Sequence, residues 1–419
     1  MRRPVLIVDV EPRITIPIAR SLHKHDVPVD LACFGPDERP LRSRAISGFV
    51  SLPDPHRQPH AFVEELVRTI SNRGYDMLIP ATDAALEAIT RYDAHLRQLL
   101  YVACPPAEVV QRVLNKSLTL ELARKAGIRV PQTYRLSNVG ELERVSDQLR
   151  FPMVAKPYHK SGETDFKVRH FENYDSLRRA LEDDAELGSR ILLQEFAAGE
   201  GVGIEALMHD GKAVAIFQHR RLKEVPATGG AAAVAISEPL DSLLVDQALA
   251  LLRALEWEGV AMVEFRYDRN QKQSALMEVN GRYWGTVALP IRAGVDFPWY
   301  EWQIAHGEEP TISPSYSVGI CWRWSAGYVR RWHGLAKNSA RKASRRPMTL
   351  KELVPSFKDL AARDAIWDAA DPMPAITDSL RTLKHLADSD FGAILRAIRR
   401  NGTRRSKNSV RECTGDADG

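Results

Sequence analysis

Glu278, Asn280 and Arg282 stand two residues apart in the stretch LMEVNGRYWG, Leu276 to Gly285. Leu276, Met277 and Val279 precede a glycine-containing turn, which predicts a strand. Successive side chains of a strand point to opposite faces, so Glu278 and Asn280 share one face. A carboxylate beside a carboxamide offers hard oxygen ligands that suit Mg²⁺ carrying a nucleotide phosphate. The Arg282 guanidinium could reach phosphate oxygens from its place further on. Upstream, GVAMVEFRYD from Gly259 to Asp268 predicts a second strand, and Glu264 on it could meet Glu278 across a shared metal. An edge strand facing water would explain Glu-x-Asn-x-Arg alone, and the second acidic strand is what favours a metal site.

Other charged residues sit where a partner is needed. Lys156 lies inside the apolar strand FPMVAKPY, Phe151 to Tyr158, and a buried ammonium calls for an anion such as a phosphate. The polar loop HKSGET, His159 to Thr164, could close backbone N–H groups over phosphates, although a solvated turn is the preferred reading for His159 and Lys160. Arg220, Arg221 and Lys223 form a basic cluster before Gly229-Gly230 and could neutralise a carboxylate substrate. A solvated basic strand would show the same letters. Lys116 follows Asn115 in a helical stretch, where an exposed lysine is common.

The elements that must position these residues are legible in chain order. Strands are expected at Pro4–Val10, Val27–Phe34, Ile46–Leu52, Asp76–Pro80 and Leu100–Ala103. Helices are expected at Ile14–Lys24, at Ala61–Asn72 and from Thr82. This alternation predicts a doubly wound parallel α/β sheet. Its first turn, VDVEPRIT, has no glycine, so a dinucleotide site is not read there. Val109 to Ala126 reads as one helix, ended by Gly127. Asn173–Glu182 reads as a helix and Ile191–Phe196 as a strand. Gly203–Leu207 and Ala213–His219 form an antiparallel pair around Asp210-Gly211. Leu244, Ala248, Leu251 and Leu255 form the core stripe of a helix.

The chain has 419 residues, 44% of them hydrophobic and 27% charged, an ordinary globular composition with room for two or three domains. Its net charge of +4 is uneven. From Ser313 onward there are 20 Lys and Arg against 11 Asp and Glu, whereas the first 312 residues carry 38 against 43. The four cysteines are far apart, which suggests neither a zinc site nor a disulfide framework and fits a reducing compartment. The apolar run Val5 to Val8 meets Asp9 too soon for a signal peptide, and no apolar run is long enough to span a bilayer, so a cytoplasmic location is expected. Beyond Pro310, Trp322, Trp324 and Trp332 lie among arginines. Such a pattern can bind single-stranded nucleic acid, but apolar alternation around Trp322 favours packing on the body. Ala336–Arg346 reads as a basic linker. Helical spacing returns at Leu380, Leu383 and Leu386 and again at Phe391, Ile394 and Ile398, and Asn401 to Gly419 is polar enough to be expected disordered.

GVAMVEFRYD followed by LMEVNGRYWG resembles the metal-binding end of ATP-grasp enzymes, with Gly281 where proline is common. NKSLTLELARKAGIRVPQT resembles the family's entry segment, and FPMVAKPY and ILLQEF resemble its lysine strand and hinge. The resemblance runs from about Lys116 to about Gly307. It implies an N-terminal pre-ATP-grasp α/β domain (1–112), a two-lobed α+β ATP-grasp domain (113–312) and a basic extension (313–419). By the same resemblance Glu264, Glu278 and Asn280 hold Mg²⁺, with Mn²⁺ as an alternative, and Arg282 steadies the phosphoryl group. ATP contacts fall to Lys116, Lys156, Glu195, Phe196 and Ala198, with Glu200 the candidate for the ribose. Arg220 and Arg221 face the substrate. The implied activity joins a small-molecule carboxylate and an amine through an acyl phosphate, with no protein nucleophile, no nucleic acid and no membrane span. A homodimer is one option for the assembly. A carbamoyl-phosphate- or biotin-carboxylase-like enzyme and a nucleotide-responsive binding protein without turnover are the alternatives.

Overall fold

The computed structural model describes residues 2–34, 41–136, 138–158, 168–184, 186–227, 229–340, 359 and 361–388, with 336–340 by backbone alone. The expected loop His159–Thr164 and everything beyond 388 lie outside the described residues.

Five short strands open the chain: β1 (Val5–Val8), β2 (Val29–Phe34), β3 (Gly48–Leu52), β4 (Met77–Pro80) and β5 (Tyr101–Val102). They form one parallel sheet in the order β3-β2-β1-β4-β5. The helices Pro12–Lys24 and Pro59–Arg73 form where the apolar spacing predicts, and bury Ile14, Ile18 and Leu22, and Phe62, Leu66 and Ile70, respectively. Such helices cover sheet faces that would otherwise leave Val and Ile in water.

Two further sheets follow. The smaller has four strands in the order β6-β9-β7-β8: β6 (Thr133–Tyr134), β7 (Met153–Pro157), β8 (Arg169–Phe171) and β9 (Ile191–Glu195). The larger runs β14-β13-β10-β11-β12-β15-β16. Its strands are β10 (Glu200–His209), β11 (Lys212–Val225), β12 (Ala231–Ser237), β13 (Gly259–Asp268), β14 (Gln273–Asn280), β15 (Cys321–Arg323) and β16 (Arg363–Asp364). The hairpin between β10 and β11 turns at Asp210-Gly211, both at positive φ.

One expectation fails in detail. The stretch Val109–Ala126 is two helices, Ala107–Leu114 and Lys116–Lys125. Asn115 between them is extended (φ −89°, ψ 100°), and its side chain accepts from the N–H groups of Ser117 and Leu118. An asparagine in that role satisfies orphan donors of a new helix, which outweighs continuing the old one.

The C-terminal region joins the body. β15 pairs with β12, and Trp322 is completely buried. The basic stretch expected to be a linker begins as the end of the helix Ser325–Ala340, and its remainder lies outside the described residues. Residues 373–388 are helical, but Leu380 and Leu383 point outward. The body-facing positions include Ala375, Asp378, which accepts from Trp324 Nε1, and Thr382, which accepts from Arg330.

An aromatic ladder fastens the parallel sheet's unit to the helix Phe297–Ala305. His25 stacks on Trp299 at 4.0 Å, Trp299 on Trp302 at 5.0 Å and Trp302 on His306 at 3.8 Å. The Arg2 guanidinium lies 4.7 Å from both indole centroids, and His306 Nε2 is 3.0 Å from Asp76.

Candidate active site

A cavity of about 480 Å³ lies between the four-stranded and seven-stranded sheets, and the parallel sheet's loops form its third wall. β13 and β14 supply the floor. They pair Glu264 with Glu278, and Met262 with Asn280, across an antiparallel ladder. Met277 is an extra residue in β14, since Phe265 pairs with Leu276. That bulge turns Met277, Glu278 and Asn280 all toward the cavity. Asn280 Nδ2 donates to Glu264 Oε1 at 3.0 Å. Arg221 of β11 forms an ion pair with the same Glu264.

The small sheet provides the opposite wall. Lys156 Nζ donates to Gln194 Oε1 at 2.7 Å, and Gln194 Nε2 donates to Thr133 at 3.1 Å. Desolvation pushes the Lys156 ammonium down to about 8, partly countered by the Glu278 carboxylate. Lys116 reaches the cavity from its helix start and donates to the Pro157 carbonyl at 3.3 Å. Glu195 and Phe196 line the rim, where Phe196 is 47% exposed.

The third wall was not read from the sequence. Asp9 ends β1 at φ 68°, accepts from Val10 N at 2.7 Å and accepts from Thr82 Oγ1 at 2.5 Å. This ties the turn after β1 to the turn after β4 and places Glu11, Arg13, Thr82 and Asp83 on the cavity. These turns follow the carboxyl ends of adjacent parallel strands, where open α/β sheets bind ligands without needing a glycine fingerprint. Arg282 meets this wall. Its Nε and Nη2 donate to the two Asp83 oxygens at 3.0 and 2.9 Å. Burial opposes that guanidinium's charge, and Asp83 more than offsets it, so its pKa is raised. Glu11 is likewise held low by Arg13 against the effect of burial. Arg13 also stacks over Trp324, 3.8 Å from the ring centroid, so the C-terminal region supports a cavity residue.

Lys116, Lys156, Glu195, Phe196, Arg221, Glu264, Glu278, Asn280 and Arg282 therefore line one cavity, whereas Ala198, Glu200 and Arg220 are not among its lining residues. Strand alternation separates Glu200 and Arg220 from it, whereas Ala198 lies in the loop between β9 and β10. Arg220 faces away from Arg221, and Glu200 precedes Gly201, which does line the cavity. Arg220 instead bonds Glu200 at 2.8 Å and Glu238 at 2.6 Å, and Arg269 joins the same two carboxylates. Further along the same face of the larger sheet, Glu205 and His219 are completely buried, with Nδ1 2.7 Å from Oε1. Desolvation raises the Glu205 carboxyl well above its usual range and presses His219 down to about 3, so burial favours the uncharged form of both.

The donor set fits a phosphate-bound Mg²⁺. Among the described residues no group of three or more His, Cys, Asp and Glu could hold a metal by itself. Two carboxylates and a carboxamide are what Mg²⁺ takes when phosphates and water complete its shell. Facing sheets with acidic strands below and a lysine strand above could receive a nucleotide phosphate and its metal between them. The comparisons that follow support an ATP-grasp superfamily protein, and the enzymes of that superfamily use ATP and Mg²⁺.

Residues 188–325 match the family described as ATP-grasp in the biosynthetic pathway with Ter operon. The chain is similar to the N-terminal section of the carbamoyl phosphate synthase large chain of Methanopyrus kandleri, 25% identical over 195 residues. That match covers 44% of this chain and 34% of the relative, so it spans about a third of the relative's length. The fold is similar to that of the L-amino acid ligase of Bacillus licheniformis (TM-score 0.58, 18% identity, 73% of this chain and 74% of that one). It is also similar to the biotin carboxylase domain dimer of Hydrogenobacter thermophilus 2-oxoglutarate carboxylase in complex with MgADP, ADP and bicarbonate (TM-score 0.61, 14% identity, 77% and 74%). Among the described residues no helix is long and apolar enough to cross a membrane.

Proposed function

We propose that the protein is an ADP-forming ligase that joins a small-molecule carboxylate to an amine. The supporting observation is the single cavity that gathers Lys116, Lys156, Arg221, Glu264, Glu278, Asn280 and Arg282. In this reading 1–112 is the pre-ATP-grasp domain, 113–312 the ATP-grasp domain and 313–419 an extension that lends the larger sheet β15 and β16. ATP with Mg²⁺, when bound, supplies the phosphoryl group that activates the carboxylate. Glu264, Glu278 and Asn280 would hold the metal. Lys116 and Lys156 would bind phosphate oxygens, with Gln194 orienting Lys156. Arg282, fixed by both Asp83 oxygens, would face charge that develops during transfer, and a donor already oriented costs no reorganisation then. Glu195 and Phe196 would meet the nucleotide base at the rim. Exclusion of water between the sheets would strengthen each of these contacts.

The test is ADP release across a matrix of amino acids and small carboxylates with Mg²⁺ and ATP. A substrate pair should stimulate release, and Glu278→Gln should lower it by about a hundredfold or more while leaving the melting temperature unchanged. Turnover of that variant at the parent rate would remove Glu278 from the metal site. Release without an amine, driven by bicarbonate alone, would favour the carboxylase-like alternative.

A further inference from the structure

Arg221 and Glu264 are not neighbours in the larger sheet, because β10 runs between β11 and β13. On the cavity face of β10 stand Gly201 and Gly203, and Gly203 pairs with Glu264. A Cβ on Gly201 would lie 3.1 Å from Arg221 Cδ and 2.9 Å from Glu224 Oε1. Gly201 therefore keeps open the lane through which the arginine crosses β10 to reach the glutamate, while Gly203 makes room for the His219 ring. Arg221 thus occupies the carboxylate that the ligase reading assigns to Mg²⁺. Asn280 turns its amide nitrogen to Glu264 as well, and only its oxygen could ligate a metal.

Arg221 also has other partners. Its Nη1 donates to the Gly230 carbonyl at 2.9 Å and lies 3.6 Å from Glu224 Oε1. Its Nε–H is buried without a hydrogen-bond partner. Arg266 holds Glu224 at 2.8 and 3.0 Å, so that carboxylate stays beside the guanidinium whatever Glu264 binds.

We infer that Arg221 is a placeholder for the metal. It neutralises Glu264 until Mg²⁺ arrives with nucleotide, yields that carboxylate to the metal, and then offers its freed N–H groups to the carboxylate substrate. This rests on the ligase reading, and it makes the substrate carboxylate the later ligand to bind. Two cations cannot share one carboxylate without mutual repulsion, so metal entry and arginine release are a single exchange. Glu224 and the Gly230 carbonyl keep the released guanidinium at the cavity wall.

Calorimetric titration of Mg²⁺ into the full chain saturated with ADP tests the exchange. Arg221→Met should bind Mg²⁺ about tenfold more tightly than the parent, since the competing cation is gone. Glu224→Gln removes the guanidinium's alternative partner and should weaken Mg²⁺ binding by about threefold. Mg²⁺ affinity in Arg221→Met equal to or weaker than the parent's overturns the exchange and leaves Arg221 a fixed counter-ion. If Arg221→Met does not fold, Glu224→Gln decides, and unchanged or tighter binding there overturns it. A parent protein that takes up no Mg²⁺ with ADP overturns the ligase reading itself, and this inference with it.

Discussion

In the proposed role of phosphate ligand, Lys156 should make nucleotide binding sensitive to alkali. Burial lowers its pKa from 10.5 to about 8, so its charge is complete well below pH 8 and lost as pH rises through that value. ATP affinity measured by calorimetry should fall between about pH 7 and about pH 9, and Lys156→Ala should flatten the profile and cost on the order of 2–5 kcal/mol at the lower pH. Stability should move the other way. Between the folded and unfolded values the unfolded chain binds more protons, so raising the pH stabilises the fold there. The Glu205–His219 pair gives a second expectation at this scale. Because burial favours the uncharged Glu205 carboxyl, Glu205→Gln keeps a neutral polar side chain in its place and should cost less than about 1 kcal/mol in denaturant unfolding. Glu205→Leu removes the buried acceptor of Thr286 Oγ1 and should cost about 1–3 kcal/mol. A larger loss in the glutamine variant would mean that Glu205 is ionised in the folded protein.

At the scale of elements, the two turns at the carboxyl ends of β1 and β4 do work that their letters do not announce. Asp83→Ala leaves the Arg282 guanidinium without its carboxylate. The two side chains are 20% and 17% exposed, so the loss should fall below the roughly 3–5 kcal/mol of a fully buried pair. Turnover should fall with it as Arg282 loses its fixed orientation. Unchanged stability and ADP release in this variant would show that the pair orients nothing. Strands β13 and β14 were readable in the sequence, because Glu264, Glu278 and Asn280 lie on apolar strands whose alternation fixes their faces. Arg220 and Arg221 were not separable until the pairing with β10 set which one faced inward. Glu11, Arg13, Thr82 and Asp83 carry no pattern of their own, since a long-range contact between Asp9 and Thr82 brings them together. Asn115 was misread because its capping competes with helix continuation, and the apolar spacing on either side favoured one helix.

At the scale of the molecule, the C-terminal region is part of the body as far as residue 388. A chain cut at Pro310 would lose β15 and β16, uncover the core around Trp322 and remove Trp324 from Arg13. It should aggregate, as light scattering would show. A chain ending at Arg400 keeps every described residue and should release ADP at the full-length rate. A collapse in that rate at an unchanged melting temperature would bring the last residues into the chemistry. The ladder of His25, Trp299, Trp302 and His306 has a different consequence, an optical one. A protonated imidazole stacked on an indole accepts an excited electron and quenches its emission, whereas a neutral one does so far less. Burial lowers the His25 pKa below the ordinary imidazole value, so dimming should begin only at a pH more acidic than a free histidine would give. Trp299→Phe should remove that component of the signal. The seam between the parallel sheet's unit and the rest of the protein thus carries its own fluorophore, and its emission would report, without any label, when the two parts come apart.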